Sequence, residues 1–170
     1  MLRYDGTGPT WHVSLNKYSV GTVLGGHEPS HFWIEAMAHP AKKAVEELLD
    51  AHRPRTAPSR RTAVFITDRV PLVQRFARRP GARIYVGVVP PSRLHWGRLD
   101  MGFLDYMTSR GATEALARGY WEGEPCPTTL DAWEILTEAY ETIGEVPADR
   151  VARFVATKSW QDADPALITL

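Results

Sequence analysis

Four short apolar runs, each carrying a polar residue, limit what this chain of 170 residues can become more than any other feature of it. They are Trp11-His12-Val13-Ser14, Ala63-Val64-Phe65-Ile66-Thr67, Ile84-Tyr85-Val86-Gly87-Val88-Val89 and Trp133-Glu134-Ile135-Leu136-Thr137. Runs of this length, rich in β-branched and aromatic residues, form strands. The His near the start of the first and the Glu inside the last are costly choices, because burying either needs a partner or a ligand. Alternation along a strand puts His12 and Ser14 on one face, where they can line one cleft wall. For His12 a hydrogen-bonded structural role competes with a functional one. For Glu134 the competing role is an edge strand with one wet face.

The segments between these runs alternate in kind. Residues 10–24 read as two short strands, or a strand and a turn, punctuated by Gly21, Gly25 and Gly26. Ser30 can cap a helix through Phe32, Trp33, Ala36, Val45 and Leu49, which Pro40 bends or splits. His52 to Arg61 is a basic, proline-containing loop, expected to be exposed. Val70–Arg78, 101–108, 111–121 and 148–156 carry helical spacing, and 119–127 reads as a loop. Residues 132–137 and 140–146 read as neighbouring strands joined by a tight Glu138-Ala139 turn. Strands dispersed among helices predict a mixed α+β domain.

Length and an ordinary apolar share of 44% suit one domain over residues 1–170 with a real core. A single cysteine, Cys126, leaves no intrachain disulfide and no Cys-based metal site, so a reducing compartment is the default. No apolar run approaches the roughly 18 residues of a membrane span, and the N-terminus lacks a signal-peptide core. A soluble, cytoplasmic protein without membrane contact is expected. The zero net charge hides an asymmetry: residues 51–110 hold twelve Lys/Arg against three Asp/Glu, whereas 111–149 hold one against nine. Two solvated faces that attract each other explain this; so does a basic wall for a phosphate-bearing ligand or nucleic acid.

Known catalytic spellings are weak here. His27-Glu28-Pro29-Ser30-His31 reads H-E-x-x-H, but that zinc chemistry needs both His on one face of a regular helix, and Pro29 intervenes. A chance match at a helix start is the simpler reading, and no metal is expected. Gly6-Thr7-Gly8-Pro9 lacks phosphate-loop spacing, and no G-x-S-x-G is present.

Several short motifs, taken in order, resemble one family. Thr10-Trp11-His12-Val13-Ser14 with Val20-Gly21-Thr22-Val23-Leu24 is similar to the opening of small bacterial ADP-ribosyltransferase-like proteins, which include the rifampicin ADP-ribosyltransferases. Pro58-Ser59-Arg60-Arg61-Thr62-Ala63-Val64-Phe65-Ile66-Thr67 resembles their "P-S-R-x-x-A-V-F-x-T" segment. Arg83-Ile84-Tyr85-Val86-Gly87-Val88, Arg98-Leu99-Asp100-Met101, Tyr120-Trp121-Glu122-Gly123, Glu134-Ile135-Leu136 and Ile143-Gly144-Glu145-Val146 follow in register, so the likeness spans about residues 10–146.

The resemblance implies a split β-sheet ADP-ribosyltransferase-like fold with peripheral helices and NAD in the cleft between its halves. It implies that His12 contacts the nicotinamide-side ribose, that Phe65 packs on the nicotinamide and that Glu134 stabilises the sugar cation left when nicotinamide departs. Many relatives have Tyr where this chain has Phe65, and Tyr85 is the residue that could replace the missing hydroxyl. Ser14, Ser59, Arg60 and Tyr85 complete the expected NAD-binding set, with Arg60 and Arg61 gripping the pyrophosphate through paired N–H donors. The implied activity is transfer of ADP-ribose from NAD to a protein, nucleic acid or small molecule. NAD hydrolysis, a non-catalytic nucleotide- or nucleic-acid-binding module of the same fold, and a zinc hydrolase built on His27 and His31 are the competing readings.

Overall fold

The computed structural model of the protein describes residues 10–26, 28–127 and 132–151. The chain runs β1 (Thr10–Ser14), β2 (Val23–Gly25), α1 (His31–Met37), α2 (Pro40–Ala51), β3 (Val64–Ile66), α3 (Val70–Ala77), β4 (Arg83–Val88), β5 (His95–Asp100), α4 (Gly102–Arg110), α5 (Glu114–Glu122), β6 (Trp133–Thr137) and β7 (Ala139–Glu145). It is a mixed α+β fold. The helices begin where their sequences dictate. The Ser30 hydroxyl accepts the Trp33 N–H at 3.2 Å to cap α1, and Pro40 occupies the first turn of α2, where no N–H is needed. The expected helix over 148–156 lies mostly outside the described residues; Val151 is its last described position.

The strands form two antiparallel sheets, a four-stranded one in the order β1-β4-β7-β2 and a three-stranded one in the order β3-β6-β5. This corrects the expected pairing of 132–137 with 140–146. β6 and β7 follow each other directly but belong to different sheets, and the chain crosses over at Glu138. The Glu138 N–H donates to the Leu94 carbonyl at 3.0 Å, and its carboxylate accepts the Leu94 N–H at 3.2 Å. Gly25 is obligatory beside this crossing: its φ is +96°, and a Cβ there would fall 2.2 Å from the Glu138 carbonyl oxygen. A second link joins the sheets where Trp11 and Thr67 exchange N–H···O bonds of 2.9 and 3.0 Å.

β5 was not expected as a strand. Its pairing with β6 shifts register between Trp96 and Leu99, and Arg98 sits at φ +55°. That is a bulge, and it breaks the alternation by which a strand is recognised. Three apolar clusters hold the layers together. Val45, Leu49, Leu99, Phe103, Met107, Tyr120 and Trp121 pack α2, α4 and α5 onto the three-stranded sheet. Trp11, Val73, Ile84 and Val86 fix α3 to the four-stranded one. Val64, Ile66 and Ile135 meet Tyr140 between the sheets, and the Tyr140 hydroxyl donates to the Thr10 carbonyl at 2.7 Å. Each such fully buried large side chain contributes about 1.5–3 kcal/mol.

Candidate functional site

Separation of the two sheets beyond the Trp11–Thr67 link leaves a cavity of about 650 Å³, within the range of small-molecule sites. One wall is β1 with the turn after it, contributing His12, Ser14 and Tyr18. The facing wall is β3 and β6 with the preceding loop, contributing Phe65, Arg60 and Glu134. α1 and α2 close it with residues that include Phe32 and Glu46.

Glu134 is 2% exposed and belongs to a buried ionic cluster. Its Oε1 accepts from an Arg60 terminal nitrogen at 2.7 Å and from the Tyr120 hydroxyl at 2.6 Å. Arg60 also donates to the Tyr120 hydroxyl. The other edge of the guanidinium grips Glu46 with two hydrogen bonds of 2.7 and 2.9 Å. Two carboxylates against one guanidinium leave one formal negative charge. Burial alone works against the charge on Arg60, but Tyr120, Glu134 and Glu46 around it outweigh that and hold its pKa well above the ordinary arginine value. Burial also pushes the Tyr120 phenol well up, against the lowering influence of Arg60, so it stays a proton donor to Glu134.

On the opposite wall His12 pairs with the Phe65 carbonyl, its Nδ1 3.0 Å from the oxygen. A carbonyl only accepts, so Nδ1 carries the proton and the neutral ring keeps Nε2 as an acceptor. Burial lowers the His12 pKa below its ordinary value, with the Phe65 carbonyl pulling the other way. Ser14 Oγ lies 3.2 Å from the Tyr18 hydroxyl and accepts the Asn16 N–H at 3.1 Å.

The structure thus brings His12, Ser14, Phe65, Arg60 and Glu134 to one cavity. Tyr85 and Ser59 are not among its lining residues. Tyr85 is 1% exposed, and its hydroxyl donates to the Asn16 carbonyl and accepts the Tyr18 N–H, both at 3.0 Å, so it anchors the turn after β1. Ser59 donates to Asp50 at 3.2 Å. The exposed 52–61 loop needs a larger correction. Ala57 is 1% and Arg60 2% exposed, because Arg60 turns inward to meet two buried carboxylates, whereas Arg55, Thr56 and Arg61 face solvent as expected. Arg60 is therefore the hub of an ion-pair cluster, with its donors committed to protein groups.

Glu46 and Tyr120 had not been singled out from sequence. The available signal was Glu46 next to Val45 and three residues before Leu49, on the buried stripe of α2, where a carboxylate requires a cation. The Phe65 ring has the Arg60 guanidinium 5.0 Å from its centre and the Phe32 ring at 5.3 Å, edge-on. Of the H-E-x-x-H pair, His27 lies outside the described residues, and His31 pairs with Glu35 at 2.9 Å. Among the described residues no group of three or more His, Cys, Asp and Glu is arranged to hold a metal ion, and no helix is long and apolar enough to cross a membrane. No protein-family model matches the chain, and no curated protein matches it significantly.

Proposed function

We propose that the protein is an NAD-dependent ADP-ribosyltransferase with the split-sheet architecture of that class, acting in the cytoplasm. The observation that carries this reading is Glu134: a carboxylate in a buried cluster with one excess negative charge, lining a cavity of small-molecule size. Such a site favours a ligand that is, or becomes, positive. NAD bears a cationic nicotinamide ring, and its glycosidic C–N bond breaks through an oxocarbenium-like state. The bonding pair leaves with the nicotinamide nitrogen, which becomes neutral, and the positive charge passes to the ribose. Glu134 stabilises that charge, and a preorganised carboxylate does so without reorganising. An acceptor nucleophile then bonds to the anomeric carbon and loses its proton. His12 Nε2 is available to accept a ribose hydroxyl, and Phe65 supplies an apolar surface for the nicotinamide.

The test is release of nicotinamide from NAD, followed chromatographically. Glu134→Gln keeps the shape and removes the charge, so release falls by a factor of about 10² or more, while NAD affinity measured by calorimetry stays within about twofold. Full activity in the Gln variant removes Glu134 from the chemistry. A wild-type protein that binds NAD and releases no nicotinamide is instead a nucleotide-binding module.

A further inference from the structure

We propose that Arg60, Tyr120 and Glu46 are positioning residues that set the rotamer and charge of Glu134 and leave its Oε2 as the working oxygen. The inference rests on the reading of Glu134 as the catalytic carboxylate. Both donors to Glu134, the Arg60 terminal nitrogen at 2.7 Å and the Tyr120 hydroxyl at 2.6 Å, fall on the same oxygen, Oε1. Two donors from different elements, the loop before β3 and α5, fix the carboxylate plane. Oε2 is the oxygen that neither of them uses.

Arg60 would cancel the charge of Glu134 if it were bound to nothing else. A guanidinium within 3 Å of a carboxylate is the wrong neighbour for stabilising a developing cation. Glu46 resolves this. It takes two of the guanidinium donors in the paired geometry that carboxylates prefer, so that two carboxylates share one cation. Arg60 therefore holds Glu134 in place while Glu46 keeps the pair net anionic. The Arg60 side chain is 2% exposed and that of Glu46 6%, so water does not screen this division. Tyr120, fully buried, contributes the second anchor. The groups facing Glu134 in this cluster are Arg60 from the loop, Glu46 from α2 and Tyr120 from α5.

Opposite effects of two near-isosteric variants follow. Tyr120→Phe removes a donor to the carboxylate and so raises the pH at which Glu134 takes up a proton. Glu46→Gln removes a neighbouring negative charge and lowers it. The carboxyl carbon of Glu134 reports this directly by ¹³C NMR, its signal being identified by its loss in Glu134→Gln. The acid limb of nicotinamide release should move in the same two directions. kcat should fall about tenfold in both variants, because the first frees the rotamer and the second neutralises the cluster, with KM for NAD little changed.

A merely structural role predicts lower melting temperatures and no opposed shifts, and titration midpoints that stay together in all three proteins overturn the proposal. Opposed shifts in the two variants, combined with a wild-type protein that releases no nicotinamide, uphold the clamp and overturn the enzymatic reading instead.

Discussion

The two walls of the cavity are built on different principles. The Glu134 wall is ionic and dry, with Glu46, Arg60 and Glu134 all at or below about 5% exposure and every link charged or charge-assisted. The His12 wall is neutral and half-buried: one imidazole–carbonyl contact, a Ser14–Tyr18 hydroxyl pair, and Tyr85 bracing the turn behind them. Charged hydrogen bonds in a dry site resist displacement, whereas single neutral ones exchange with water or ligand hydroxyls at little net cost. The first wall suits a group that must not move while charge develops. The second suits groups that adapt to a sugar.

The contrast breaks most visibly at Arg60. Arg60→Ala strands two buried carboxylates, and unfolding by urea should show a loss of about 3–5 kcal/mol. A midpoint near wild type would mean the cluster is better hydrated than its burial indicates. On the neutral wall, His12→Ala should weaken NAD binding about tenfold by calorimetry, equivalent to about 1.4 kcal/mol, and leave a cooperative melt. Retained affinity with a collapsed melting temperature makes His12 structural.

His12 also confers a pH dependence. Its folded pKa is depressed, so the unfolded chain binds the proton more readily, and stability is complete above about pH 6.5 and declines as pH falls towards the lower folded value. His12→Gln should flatten the stability profile over that window, as read by melting temperature at a series of pH values. Tyr85→Phe removes the hydroxyl that braces Asn16 and Tyr18, for a loss of about 1 kcal/mol. The smallest effect belongs to Arg61→Ala, within about 0.5 kcal/mol of wild type and without change in NAD affinity at low or high salt. A salt-dependent loss of affinity would return this exposed arginine to the site.

The four apolar runs were legible as strands because β-branched and aromatic residues cluster in them, and α1 and α2 because Ser30 and Pro40 mark their starts. Glu134 was legible as a site candidate for a local reason, a carboxylate inside an apolar strand. What escaped depends on partners distant in sequence. Nothing local distinguishes a hairpin at Glu138 from a crossing between sheets, since the same turn serves both and only the pairing of β6 with β3 and β7 with β4 decides. Arg60 looked exposed because prolines and arginines surround it. Its burial is dictated by Glu46, 14 residues earlier, and Glu134, 74 residues later. β5 was hidden by its own irregularity, with Gly97 and a left-handed Arg98 interrupting the run.

The Trp11–Thr67 link and the Glu138 crossing have a mechanical meaning. They act together with the packing of Val64, Ile66 and Ile135 on Tyr140 and the His12–Phe65 hydrogen bond to hold the two sheets to each other. Widening of this cavity by separation of the sheets would require breaking the Trp11–Thr67 backbone hydrogen bonds. His12 and Phe65 stand one and two residues from the Trp11–Thr67 fastening. Their spacing is accordingly set by the backbone and not by whatever enters between the sheets.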